Sequence, residues 1–308
     1  MTLRPARPRV EWRDINGILL LDKPVGLSSN AALQEARRLY RARKAGHTGS
    51  LDPLASGVLP LCFGHATKIA GLLLGSDKTY VATLALGSRT TTGDAEGEVA
   101  ESAPVPPFEA AAVAAVCQSF VGPREQVPPM YSALKYAGRP LYSLARAGIE
   151  IERAPRPIVI HSLTVRRLEP ATIEFEVCCS TGTYVRTLGE ELAAALGTCG
   201  HLVALRRTSV AAFAGRPLHR LEELAACLDA AALDALLVPA DVALVDWPGT
   251  VLDAQGVTDV RHGRAAACPP APAGRARIYG PGGELIGLGV VDPSGIRVAP
   301  TRLLSDLS

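Results

Sequence analysis

The apolar residues of this 308-residue chain fall in short runs whose period keeps changing, and that pattern restricts the fold more than any other feature. Asn16 to Leu21, NGILLL, is a continuous apolar run stopped by Asp22-Lys23-Pro24, the pattern of a buried strand entering a turn. Ala32, Leu33, Ala36, Leu39 and Tyr40 then recur at helical spacing behind Ser28 and Ser29, both candidate N-caps. Val58 to Phe63 and Tyr80 to Leu86 read as strands, and Ala66 to Leu74 and Ala110 to Phe120 as helices. Ile158 to Leu168 and Thr172 to Cys178 read as strands paired across Glu169-Pro170. Val185, Leu188, Leu192 and Leu196 mark a further helix from Tyr184. Periodicity by itself predicts a mixed α/β chain and no more.

Beyond Asp246-Trp247-Pro248 the texture changes to short strands broken by Gly and Pro, at Ala276 to Tyr279, Glu284 to Val291 and Ile296 to Ala299. This is how a small all-β appendage reads, so a boundary is expected near Val245, dividing residues 1–245 from 246–308.

The net charge of +2 conceals an asymmetry. Met1 to Lys44 holds ten basic against four acidic residues, Phe120 to Pro170 eight against four, and His219 to Val260 one against eight. Basic blocks in the first half suit a polyanionic partner, although a solvated surface gives similar counts. Seven cysteines, an odd number without CxxC spacing, read as reduced core thiols, and six scattered histidines give no metal-site spacing. No metal and no cofactor is expected: no GxGxxG follows a strand and no GxxxxGK[ST] occurs. The opening residues, MTLRPARPRVEWRD, lack an apolar stretch, and no later run approaches the ~20 residues of a bilayer span. The expectation is a soluble, cytoplasmic protein.

One loop calls for a chemical explanation. Gly46 to Gly57, GHTGSLDPLASG, is rich in Gly, Ser, Thr and Pro, and Asp52 is the only acid from Gly46 to Leu61. Pro53 biases Asp52 toward extended backbone, which holds its carboxylate away from a helix cap. An aspartate in such a loop ordinarily bonds its own backbone, so the loop alone does not make it a nucleophile.

GHTGSLDPLASGVLP resembles the signature loop of the TruB family, the bacterial tRNA pseudouridine-55 synthases, whose nucleophilic aspartate stands where Asp52 stands here. NGILLLDKPVGLSSN, DKTYVATLALGSRTTTGDAEG, CCSTGTYVRTLGEELA and HLVALRRTSV resemble further motifs of that family in the same order, so the resemblance runs from Asn16 to Leu304. It implies an α+β fold: a pseudouridine-synthase catalytic domain around a largely antiparallel sheet, and a small C-terminal PUA-like β-barrel. It also implies the reaction, isomerisation of a uridine in the T arm of tRNA.

That reaction breaks the N1 glycosidic bond, turns the uracil and joins C5 to the ribose, with no redox change and no group donor. Attack at C1′, attack at C6 and elimination to a glycal all use a carboxylate at this place. The resemblance makes Arg186 the cation beside Asp52, expected to lower its pKa and favour the charged form. Tyr80 matches the family's stacking tyrosine and its candidate base in the later proton removal. The target base must be flipped out of a folded loop at a cost of about a few kcal/mol, so Tyr184 and Leu205 are expected to wall the base and His47 to help evert it. Lys23 is expected to fix the Asp52 loop or meet a phosphate.

Gly122 to Gly148 reads as an insertion with weak periodicity, in which Tyr131, Tyr136 and Tyr142 interleave with Lys135, Arg139 and Arg146. It resembles the family's thumb, expected to order on RNA, with Tyr131 and Lys135 as contacts. This segment favours a stand-alone enzyme, working as a monomer without a protein partner, over the guide-RNA-dependent relatives of ribonucleoproteins. A non-catalytic tRNA-folding chaperone is a third reading. A paired-carboxylate glycosidase is a fourth, opposed because no second acid is seen to accompany Asp52.

Overall fold

The computed structural model describes residues 11–304; the basic Arg4, Arg7 and Arg9 lie outside the described residues. The strands in chain order are β1 (Gly17–Lys23), β2 (Ala45–His47), β3 (Ala55–Phe63), β4 (Lys78–Leu86), β5 (Ser88–Thr90), β6 (Val99–Ser102), β7 (Gly122–Gln126), β8 (Lys135–Tyr136), β9 (Arg139–Pro140), β10 (Arg156–Glu169), β11 (Thr172–Cys179) and β12 (Gly200–Val210). The helices among them are α1 (Ser29–Tyr40), α2 (Ala70–Leu73), α3 (Ala110–Ser119), α4 (Leu141–Ala145) and α5 (Val185–Ala195). The central sheet runs β1-β3-β12-β4-β11-β10-β7, with β2 on β3. Its ladders are antiparallel except for the short β3–β12 seam, which is parallel.

The unbroken apolar run in β1 has a physical cause: both faces of that edge of the sheet are covered. Leu19 and Leu21 enter the main core with Leu59, Leu61 and Phe63 of β3, beneath α1. Ile18 and Leu20 turn the other way and join Val58, Cys62 and Ile69 in a second core. β4 and β11 alternate strictly between buried and half-buried residues, as strands with one solvated face do. Ser28 caps α1 by accepting from Ala31 N at 3.1 Å.

The second core carries the sheet's back face into the C-terminal elements through Leu244, Leu288 and Leu304. Here α6 (Leu221–Ala226), α7 (Ala230–Asp234), β13 (Gly249–Val251), α8 (Ala254–Arg261), β14 (Ala266–Ala267), β15 (Gly274–Tyr279), β16 (Leu285–Val291) and β17 (Arg297–Leu303) follow in order. The second sheet, β13-β15-β16-β17-β14, curls as a half-barrel. The C-terminal part is not all-β: α8 packs Val257 and Val260 under that sheet, a helix of 8 residues, too short for its apolar spacing to stand out. The acidic run before it serves local structure. Asp229 and Asp253 cap α7 and α8, Asp241 accepts from the Tyr279 hydroxyl, and Asp234 pairs with Arg13.

Two further readings need correction. Ala66 to Leu74 is a 3-10 turn, Gly64–Ile69, followed by the single turn of α2. Gly122–Gln126 does not belong to the insertion, because it pairs with β10 as the edge strand β7. The β8–β9 hairpin and α4 follow it, with Leu141 and Leu144 buried.

Candidate active site

The Asp52 loop is held from below and from the side. Lys23, fully buried, donates from Nζ to Leu27 O at 2.6 Å, to Pro24 O at 2.8 Å and to Pro53 O at 3.5 Å. Burial lowers its pKa to about 8. Its donors are directed to backbone carbonyls of the Asp52 loop and of the turn after β1. Gly26 N also donates to Pro53 O, at 2.8 Å.

Asp52 and Arg186 meet as expected. Arg186, 4% exposed, pairs its Nε with Asp52 Oδ2 at 2.9 Å and donates from Nη1 to Thr92 O at 2.6 Å and from Nη2 to Tyr131 O at 2.7 Å. Every nitrogen of the fork is engaged, which fixes its plane. Arg186 is the second residue of α5, whose N-cap Tyr184 is clamped by buried Gln126: Tyr184 N donates to Gln126 Oε1 at 2.8 Å, and Gln126 Nε2 donates to Tyr184 O at 3.2 Å.

Asp94, not among the residues that the sequence singles out, also belongs to this cluster. It is 2% exposed, its Oδ2 lies 3.7 Å from Arg186 Nε, and its Oδ1 accepts from Thr92 Oγ1 at 2.5 Å and Glu96 N at 3.1 Å. A second carboxylate therefore does accompany Asp52. Its burial and hydrogen bonds keep it from acting as the open partner of a glycosidase pair. The only sequence signal was DAEG after a threonine run, which any tight turn could produce.

Arg186 does act to lower the Asp52 pKa, as expected, but it does not decide the net direction. Burial raises it above the ordinary carboxylate range and Asp94 adds to the rise, while Arg186 and Lys23 oppose both. The Asp52 side chain is still 42% exposed, so the carboxylate remains open to a ligand.

Asp52, Tyr80, Tyr184, Arg186, Leu205 and Arg207 line one cavity of about 500 Å³, inside the ~300–1,000 Å³ range of small-molecule sites. Register explains the grouping. Tyr80 stands across from Arg207 on the β4–β12 ladder, and Leu205 stands beside Ala55 on the parallel seam. That seam requires glycine at position 57, where φ is +98° and a Cβ would lie 2.1 Å from Arg207 O. Burial raises the pKa of Tyr80 and of Tyr184.

A second cavity shares Asp52 and Arg186 with the first and is lined by His47, Asp94, Glu96 and Tyr131 among others. Burial and then Arg207 lower the His47 pKa, and His47 Nδ1 is buried without a hydrogen-bond partner. Lys135 is exposed on the β8–β9 hairpin, outside both cavities. Among the described residues, no group of three or more His, Cys, Asp or Glu side chains is arranged to hold a metal ion, and no helix is long and apolar enough to cross a membrane.

Three family models match in sequence order: TruB family pseudouridylate synthase, N-terminal domain, at residues 37–185; tRNA pseudouridylate synthase B C-terminal domain at 186–245; and Pseudouridine synthase II TruB, C-terminal, at 248–304. Together these matches define a pseudouridylate synthase. The chain belongs to the TruB family. It is 49% identical over 299 residues to tRNA pseudouridine synthase B of Nitrosococcus oceani, covering 96% of this chain and 97% of that one. It is 50% identical over 314 residues to the protein of the same name from Burkholderia mallei, covering 99% of each. The fold resembles that in a Cbf5-Nop10-Gar1 complex, with TM-score 0.71 and 24% identity over 94% of this chain and 85% of that chain.

Proposed function

We propose that this chain isomerises a uridine in the T arm of tRNA, at position 55, to pseudouridine, acting alone as a cytoplasmic monomer and without a cofactor. The observation that carries the reading is Asp52 held by Arg186 at the floor of a nucleoside-sized cavity with an open carboxylate. The relatives named tRNA pseudouridine synthase B support tRNA as substrate.

In this reading the extruded uridine enters the first cavity. Tyr80 and Leu205 hold its ring, Tyr184 closes the side, and the Asp52 carboxylate, charged through its contact with Arg186, drives cleavage of the N1–C1′ bond. The base turns, C5 bonds to C1′, and Tyr80 receives the C5 proton. His47 fills the space left in the RNA stack from the second cavity. Tyr131 and the exposed Lys135 hairpin grip the RNA across the thumb, for which we place the span at 127–155 in place of 122–148. We keep residues 1–245 as the catalytic unit and 246–308 as a PUA-like unit touching the acceptor side of the tRNA.

The test is mass-spectrometric mapping of unmodified tRNA after treatment with the purified chain alone. Pseudouridine confined to the T arm is the expected product. No product without added protein or guide RNA would favour the ribonucleoprotein reading, and binding without any product the chaperone reading.

A further inference from the structure

Arg207 heads the largest fully buried side chains of the described residues, at 1% exposure. Its Nε donates to Val58 O at 2.7 Å and its Nη2 to Gly49 O at 3.3 Å. The described ion pairs include Arg186 with Asp52 and Arg206 with Asp22, but none joins Arg207 to a carboxylate. A buried guanidinium without a countercharge costs about several kcal/mol, so its retention needs a reason. Two carbonyl bonds could be supplied at lower cost by a neutral side chain.

The reason lies across the sheet. Arg207 and Tyr80 are direct partners on the β12–β4 ladder, so their side chains leave the same face, and both line the cavity that holds Asp52. The titratable groups that act on Tyr80 are Arg207 on β12, Cys179 on β11, a thiol that burial keeps protonated at neutral pH, and Asp52 on its loop. Lys78, earlier on β4, lines the same cavity but spends its ammonium on Leu74 O and Ser76 O. Burial and Asp52 favour the neutral phenol, and Arg207 opposes them.

We propose that Arg207 is the positioning cation of Tyr80: its buried guanidinium holds the phenol oxygen at the base cavity and supplies the positive charge beside which that oxygen takes the C5 proton. The inference rests on the reading of Tyr80 as base. In the step concerned the C5–H bond breaks and its electron pair forms the C5–C6 double bond. The displaced C6–N1 π pair takes a proton from water at N1, so the proton count over the isomerisation balances. The protonated phenol then returns its proton to water.

The test is single-turnover tritium release from C5-labelled tRNA at saturating enzyme and neutral pH. Arg207→Met is expected to slow release about tenfold or more, the fall in phenolate that one unit of phenol acidity produces. Replacing Tyr80 with the more acidic 3-fluorotyrosine in the Arg207→Met chain is expected to recover most of that loss. A packing defect would not be repaired by a change in phenol acidity, so absence of recovery in a folded Arg207→Met chain overturns the proposal.

Arg207→Lys, which keeps the charge, covers the case in which Arg207→Met does not fold. It is expected to stay within a few-fold of the parent, and a loss as deep as in Arg207→Gln would overturn the proposal. Tyr80→Phe separates the two readings. Full release in that variant removes Tyr80 as base and leaves the Asp52 chemistry standing. Loss in Tyr80→Phe with no loss in Arg207→Met retains the base and removes Arg207.

Discussion

Ser29 Oγ accepts from Leu51 N at 2.7 Å and donates to Leu51 O at 3.0 Å, so one buried hydroxyl at the start of α1 holds both backbone groups of the residue before Asp52. Ser29→Ala leaves that amide and carbonyl without their partner, at a cost of about 1–3 kcal/mol. The expected result is a lower melting temperature and a slower single-turnover rate, with tRNA affinity changed little. A rate equal to the parent's would mean that the loop keeps its shape without this clamp.

The Asp52 carboxyl titrates above the ordinary carboxylate range, because burial outweighs Arg186. The reaction needs the charged form, so the single-turnover rate should fall on acidification with a midpoint above the ~3.9 of a free aspartate. Stability has the opposite sign. A carboxyl whose folded pKa is raised contributes stability that is fully present below the unfolded value and is lost as pH rises through the folded value. Asp52→Asn should therefore melt no lower than the parent at neutral pH, with Asp94 still facing Arg186. Melting curves across that acidic window read both signs.

Arg186→Met strands two carboxylates and two carbonyls, those of Asp52, Asp94, Thr92 and Tyr131. Removing one partner of a buried ion pair costs about 3–5 kcal/mol, and product should disappear. Arg186→Lys keeps the charge but not the planar fork, so it should fold better while remaining strongly impaired. Chemical denaturation beside product assays distinguishes the two.

Lys135 is exposed on the hairpin that turns at Ala137 and Gly138. Lys135→Ala should weaken tRNA binding at all sequences and lower the slope of log affinity against log salt by about 1. The rate at saturating tRNA should fall much less. Filter binding over a salt series checks this, and an unchanged slope would remove Lys135 from the RNA contact.

Much of this was legible along the chain. The runs NGILLL and VATLAL became β1 and part of β4 because their apolar residues fill cores on known faces, and Ala32, Leu33, Ala36 and Tyr40 became the buried face of α1. Asp52 and Arg186 could be paired because their motifs are distinctive, although they stand far apart in sequence. What stayed hidden depends on three-dimensional neighbours. Nothing local marks Asp94 in DAEG, Gln126 falls in the span that reads as an insertion, and Arg207 carries no sign in the sequence that sets it apart from Arg206. Burial on the parallel seam, which local sequence does not encode, separates Arg207 from Arg206, whose guanidinium reaches Asp22 at the surface. The net direction of the Asp52 titration is hidden for the same reason: Arg186 lowers the pKa as its motif implies, but the larger effect of desolvation depends on everything packed around the loop.

The most direct test of the central claim is release of the C5 label from tRNA by Asp52→Asn, measured beside its tRNA affinity. The chemistry assigned to the carboxylate requires that release vanish while the affinity stays close to the parent's. Turnover at the parent's rate would place the nucleophile elsewhere.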